Sequence, residues 1–275
     1  MADEDRTQRQ RESDAFNARG IEAADRKWYD EAVRAFQKAI ELDPESAHAH
    51  DNLATVFSEQ GKYLNALESY LAALQLEPDN PTAHYNLACF LTSHAHDMAV
   101  GEYQRAIELE YDYPDAHVNL GLCFADGGDP RAAIQEFRIA VELDPGDVGA
   151  KLELSASLID VGEYAEAIRH LKEVVKAEPE NIDAQIDLGI AYMEQGFYAE
   201  AERTFLSAIT RTPAEVMLRY HLAALYAQWE RPDDMYKRLG EALELDKPRT
   251  LEWLENDRAF DPFRETADMK RLLAR

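Results

Sequence analysis

The sequence is short of positive charge: 29 Lys and Arg stand against 54 Asp and Glu, a formal net charge of −25 over 275 residues. Phosphate backbones and anionic lipid surfaces repel such a chain, so nucleic-acid and peripheral membrane binding are not expected. Long apolar runs are missing as well. The longest stretch without a charge, Asn80 to His96, contains Pro81, three histidines, Asn86, Thr92 and Ser93, which is no membrane span. Cysteine is scarce. Cys89 and Cys123 are the only two, too few for a disulfide framework and consistent with a reducing compartment. Both are expected as small, buried or half-buried apolar residues. The opening residues, Met1 to Asp14, are polar and have neither an apolar core nor a cleavage site, so no secretion signal is expected and a cytoplasmic location is. No glycine-rich phosphate loop, G-x-S-x-G, H-E-x-x-H or cysteine pair at zinc spacing occurs, so neither enzymatic activity nor a cofactor is expected. Disorder is excluded too, because 46% hydrophobic and 30% charged residues is an ordinary balance for a folded chain.

What the sequence does contain is a period. Pro44, Pro78, Pro145, Pro179 and Pro213 are separated by 34, 67, 34 and 34 residues. Ala32, Ala66, Ala99, Ala133, Ala167 and Ala201 keep the same step, as do Phe36, Tyr70, Tyr103, Phe137, Leu171 and Phe205. Gly61, Gly128, Gly162 and Gly196 fall in with them. Length alone suggests about two domains; the period replaces that expectation with one array. Its units are 13–46, 47–80, 81–113, 114–147, 148–181, 182–215 and a degenerate 216–249, in which Met235 and Leu239 replace the alanine and the aromatic residue.

Within unit 47–80, Leu53, Ala54 and Phe57 recur at helical spacing, Gly61 follows, and Ala66, Leu67, Tyr70, Ala73 and Leu74 run on to Pro78. This spacing predicts an antiparallel helix pair per unit. Glycine suits the left-handed residue that ends the first helix, and proline cannot continue the second. The alanines let two helices approach while the aromatic residue four positions later fills the space beside them. Residues 1–12 form a charged extension of the first helix. Two short amphipathic segments, around Leu251–Leu254 and Met269–Leu273, flank Asp261-Pro262 and form a C-terminal cap over 250–275, as the end of a repeat stack requires.

These residues resemble the tetratricopeptide repeat (TPR). In unit 182–215 the match runs through Leu188, Gly189, Tyr192, Gly196, Tyr198, Ala201, Phe205, Ala208 and Pro213. The family's opening Trp is absent; Phe16, His50, His84 and His117 hold that place in the first four units. The resemblance implies an all-α, right-handed superhelix of antiparallel helix pairs. The closing stretch, Trp253 to Leu273, is similar to segments that follow many bacterial repeat arrays, which implies a bacterial origin.

The resemblance also implies that the first helix of each pair lines a concave side, through the second, fifth, sixth, ninth, twelfth and thirteenth positions of a unit. In this chain those positions carry Asp14, Asp25, Asp51, Glu59, Asp115, Asp126, Glu153, Asp160, Asp183, Asp187 and Glu194, and no Lys or Arg. The same positions hold Val118, Leu122, Leu152, Ile159, Ile186, Ile190, Met193 and Tyr220. An acidic wall with an apolar floor suits a basic or amphipathic polypeptide segment. Asn52, Asn86 and Asn119, all at the sixth position, present a donor and an acceptor each, and so suit either a peptide backbone or internal packing. A clamp for acidic C-terminal tails is not expected, since the bases it needs are missing at the matching places, where Asn17 and Ile21 stand before Asn52 and Thr82 and Asn86 after it.

The third unit departs from the pattern. Its inter-helix turn, Ser93 to Asp97, is a residue short, and Tyr111-Asp112-Tyr113 replaces the usual Asp-Pro. His94, His96 and Asp97 make too thin a set for a metal site, which needs a fourth ligand. His50, His84 and His117 are expected to pack between helices. The resulting expectation is a non-catalytic scaffold or adaptor for a protein or peptide, without metal or cofactor. The alternatives are a chaperone for a secreted or membrane-associated protein, or a regulatory or substrate-docking subunit of a separately encoded enzyme.

Overall fold

The computed structural model describes residues 2–93 and 95–274, with side chains from Arg6 onward; His94 lies outside the described residues. All regular structure among them is helical. Two compact units divide the chain, one ending at Pro145 and the other beginning at Gly146. The N-terminal unit holds four antiparallel pairs: α1 (Ala2–Asp25) with α2 (Tyr29–Leu42), α3 (Ala47–Glu59) with α4 (Tyr63–Leu76), α5 (Pro81–Thr92) with α6 (His96–Leu109), and α7 (Pro114–Asp126) with α8 (Pro130–Leu143). The C-terminal unit holds three: α9 (Val148–Asp160) with α10 (Tyr164–Ala177), α11 (Ile182–Glu194) with α12 (Tyr198–Arg211), and α13 (Val216–Gln228) with α14 (Pro232–Leu245). After them come α15 (Lys247–Asn256), a 3₁₀ turn (Arg258–Phe263) and α16 (Ala267–Leu273). The charged N-terminal residues belong to α1 itself.

The turns follow from residue chemistry. Gly61, Gly128, Gly162 and Gly196 take φ of +71°, +79°, +81° and +76° between the helices of a pair, a region where a Cβ is disfavoured. Lys27 and Glu230 adopt the same conformation at φ 60° and 55° in the first and last pairs. The side chains of Asn80, Asp147 and Asn181 accept the N–H of Ala83, Ala150 and Ala184 at 3.0 to 3.1 Å and so start α5, α9 and α11.

Five of the pairs set a small residue on the first helix against a ring on the second; Leu171 and Leu239 take the ring's place in the other two. Ala32, Ala66, Ala99, Ala133, Ala167 and Ala201 are fully buried. A Cβ added at Gly20, Gly121 or Gly189 would come within 2.5, 2.6 and 2.4 Å of the rings of Phe36, Phe137 and Phe205. Where the partner ring is Tyr70 or Tyr103, the small residue is Ala54 or Ala88 instead. There the phenol is held by a hydroxyl, Thr55 or Thr92, at 3.2 Å. The place of the absent Trp is used differently. His84 Nδ1 meets Glu102 Oε2 at 2.6 Å while its Nε2 donates to the Pro78 carbonyl at 2.9 Å. His117 repeats the pattern with Glu136 and the Tyr111 carbonyl, at 2.7 and 3.1 Å. Lys151 donates to Glu173 at 2.6 Å, and Gln185 donates to the Pro179 carbonyl. A polar donor thus ties a first helix to its own second helix or to the preceding turn.

Candidate partner-binding face

Successive first helices touch within each unit: α1 with α3, α3 with α5 and α5 with α7 in one, α9 with α11 and α11 with α13 in the other. In the N-terminal unit the sixth-position asparagines bridge these contacts. Asn52 Nδ2 donates to Asn17 Oδ1 at 3.1 Å, Asn86 Nδ2 to Asp51 Oδ2 at 2.6 Å and Asn119 Nδ2 to the Tyr85 hydroxyl at 3.0 Å. Every acceptor is the fifth residue of the preceding unit. Of the two roles open to these asparagines, the structure shows the internal one. Asn17, Asp51 and Tyr85 are therefore structural residues that single positions did not reveal; reading position five of one unit against position six of the next would have found them. Asp51 is pushed up to about 6 by burial, against the hydrogen bond from Asn86, and its Oδ1 has no hydrogen-bond partner among the described residues.

In the C-terminal unit the same register holds Glu153, Asp187 and His221. Asp187 is half-buried on α11 and is pushed up to about 6, first by burial and then by Asp183, Asp160 and Glu153. Every charge acting on it is another carboxylate. The one base on α9, Lys151, is turned to Glu173 on α10. Glu153, Asp160, Asp183 and Glu194 are exposed. Four acids from α9 and α11 thus form one electrostatic cluster, with Glu194 at the α11 C-terminus. His221 stacks on Phe205 with centroids 6.2 Å apart, and burial holds it down to about 4, so the ring is neutral at pH 7.

The apolar residues divide. Leu152, Ile159 and Ile190 are half-buried beside the acids of α9 and α11, and Val118 and Leu122 are half-buried on α7, between the exposed Asp115 and Asp126. Ile186, Met193 and Tyr220 do not line an open floor. They are 5%, 6% and 4% exposed and belong to the core of the C-terminal unit. Tyr220 is enclosed by the cap: its hydroxyl donates to Asp257 at 2.9 Å and its ring lies 5.2 Å from Trp253 and 5.6 Å from Phe260. Inward position on a helix predicts direction, but the neighbouring helix decides whether the side chain stays accessible.

The third pair is rich in tyrosine. Tyr85 lies 5.9 Å from Tyr103 and 4.9 Å from Tyr113, and Tyr111 meets His117 edge-on at 5.4 Å. Tyr111 and Tyr113 thus replace the usual Asp-Pro with ring packing. Burial, followed by the charge of Asp115, pushes Tyr113 up to about 12. Cys123 is buried, whereas Cys89 is exposed and its sulfur accepts from the Tyr103 hydroxyl at 3.4 Å. His96 Nε2 donates to the Cys123 carbonyl at 3.0 Å. Among the described residues no group of three or more His, Cys, Asp or Glu side chains is placed to hold a metal ion. Nor is any helix among them long and apolar enough to cross a membrane.

Three models of the tetratricopeptide repeat match the chain, over residues 24–61 with 55–89, 95–148 and 158–228. No curated protein matches it. Among solved structures, a part of a TPR-containing protein from Cytophaga hutchinsonii is similar at a TM-score of 0.71 and 17% identity, over 86% of this chain and 98% of its own. PilF of Pseudomonas aeruginosa gives 0.65 and 24%, over 75% and 95%. YrrB, a TPR protein with an unusual peptide-binding site, gives 0.61 and 26%, over 68% and 96%. Proteins of this kind are in general scaffolds that bind protein or peptide partners, and are typically non-catalytic. Spacing, helix pairing and these likenesses agree that the chain belongs to the tetratricopeptide repeat family.

Proposed function

We propose that the protein is a non-catalytic scaffold that holds a basic or amphipathic polypeptide segment on its first-helix faces, with the carboxylates around Asp187 as the main contact. The observation that carries this reading is the setting of Asp187, a half-buried carboxyl whose burial and three neighbouring acids, Asp183, Asp160 and Glu153, all oppose its charge. A Lys or Arg from a partner would relieve that cost. Leu152, Ile159 and Ile190, half-buried beside the acids, supply apolar contact. Asp115, Val118, Leu122 and Asp126 on α7 offer a face of the same character on the N-terminal unit. The peptide-binding site of YrrB, 26% identical, supports a peptide as the class of ligand. The free thiols of Cys89 and Cys123 support a cytoplasmic setting.

Fluorescence anisotropy with a labelled Lys/Leu amphipathic peptide, and with its Glu/Leu counterpart, tests the proposal. The Lys peptide binds and the Glu peptide does not. Affinity falls about tenfold or more in Asp160→Lys/Glu194→Lys, and falls steeply with added salt, because these carboxylates are exposed. Binding indifferent to both salt and the substitutions moves the site elsewhere.

A further inference from the structure

The seven units act as controls for one another, and on that comparison the outer face of α4 stands apart. Leu64, Glu68 and Leu71 lie on one stripe of the helix, since steps of four and three return to the same face. All three are exposed, Leu64 at 78% and Leu71 at 45%. The positions equivalent to Leu64 are exposed in the other second helices, and those equivalent to Leu71 are exposed at Gln37, Gln104 and Lys172 and half-buried at Arg138, Leu206 and Gly240. Where Leu64 stands, the others carry Asp30, Asp97, Asp233, Arg131, Ala165 and Ala199. At the Leu71 position Gln37, Gln104, Arg138, Lys172 and Gly240 occur, with a second leucine, the half-buried Leu206. The middle position carries a base in four copies, Arg34, Arg169, Arg203 and Lys237, and Gly101 or Gln135 in the other two, where α4 has Glu68.

Nothing in the repeat demands this combination: no other copy sets two leucines about a carboxylate, and the leucine that recurs at the Leu71 position, Leu206, stands with Ala199 and Arg203. Glu68 is also the only charge on α4, whose fourteen residues otherwise read Tyr, Leu, Asn, Ala, Ser and Gln. Two exposed leucines about 10.5 Å apart, at 1.5 Å per residue, with a carboxylate between them form a short recognition stripe. We propose that this stripe docks an amphipathic helix of a partner, through two apolar anchors that flank a Lys or Arg. Charge selects the occupant. A second copy of this chain, packed about a two-fold axis between Leu64 and Leu71, would set Glu68 against its own counterpart while bringing together two chains of net charge −25. A helix with a central base instead meets Glu68 with opposite charge and covers both leucines. The stripe lies on α4 of the N-terminal unit, whereas the carboxylates around Asp187 belong to the C-terminal unit.

The test uses the full chain with Asp160→Lys/Glu194→Lys as background, which suppresses cation binding at the Asp187 cluster. The probe is a labelled helical peptide of about five turns, built of Ala, Gln and Leu, with one Arg between two Leu at the spacing of the stripe. A second peptide carries Glu in place of Arg. Leu64→Asp/Leu71→Gln restores what other units carry, so the fold is retained, and circular dichroism checks this. Binding of the Arg peptide falls at least about tenfold in this variant. Glu68→Arg, also a residue used by other units, loses the Arg peptide and gains the Glu peptide. Arg-peptide binding unmoved by either variant overturns the proposal. So does sedimentation in which the chain associates with itself and Leu64→Asp/Leu71→Gln abolishes that association.

Discussion

Position six of the repeat is used in opposite ways in the two units. In the N-terminal unit it holds Asn52, Asn86 and Asn119, whose amides donate to Asn17, Asp51 and Tyr85 one unit back. In the C-terminal unit it holds Glu153, Asp187 and His221, and Asp187 meets only like charge. The backbone register is the same. An amide turns it into cohesion between adjacent first helices, whereas a carboxylate leaves a charge that an incoming base can satisfy. On the proposed reading, one scaffold position serves stability in one unit and binding in the other through a change as small as Asn to Asp.

The contrast breaks most sharply at Asn86. Asn86→Ala leaves the half-buried Asp51 without its donor, and chemical denaturation at pH 7 should show a loss of about 1–3 kcal/mol. The loss should shrink at pH 4, where Asp51 is protonated. Asp187→Asn should act in the other direction and stabilise the chain by about 1–2 kcal/mol at pH 7. The sign follows from the raised folded value of about 6: the folded state takes up a proton before the unfolded one, so Asp187 favours folding below about pH 4. That contribution is lost as pH rises through about 6. The gain from Asp187→Asn should therefore vanish at low pH, and taking the difference between the two proteins removes the opposite trend of His221. Basic-peptide affinity should weaken as pH is lowered through the same window, because Asp187 then loses its charge.

A rung can also be transplanted. Leu152 is the fifth residue of the unit before Asp187, so Leu152→Asp/Asp187→Asn rebuilds the Asp51–Asn86 arrangement in the C-terminal unit. A double-mutant cycle should return a favourable coupling of about 1 kcal/mol. The smallest effect concerns the turns. Lys27 and Glu230 hold the left-handed conformation that glycine holds in four other pairs. Lys27→Gly should raise stability by about 0.5–1 kcal/mol, read as a higher melting temperature.

Much of the fold is legible in the sequence because the repeat supplies its own alignment. The spacing of Ala32 through Ala201 gives the pairing of helices, the glycines give the first turn, and the prolines give the second. The candidate site is legible only in part. Glu153, Asp160, Asp183 and Asp187 are gathered by the contact of α9 with α11, as their shared inward positions imply. Ile186, Met193 and Tyr220 share those positions and are nevertheless covered, the last by Trp253 and Phe260 of the cap. The division at Pro145 leaves no mark either, since the 34-residue step continues through it.

The sequence by itself determined the period, the helix pair, the small-residue contacts and the excess of acid on the first helices. These depend on residues near one another in the chain, or exactly one repeat apart, where the pattern is its own template. Only the tertiary structure decided which inward side chains remain open, which asparagines are already bonded, and that Asp187 lies among acids with Lys151 turned away. Those outcomes depend on how much of each side chain its neighbours cover and on which way a flexible side chain turns, and neither is encoded in spacing.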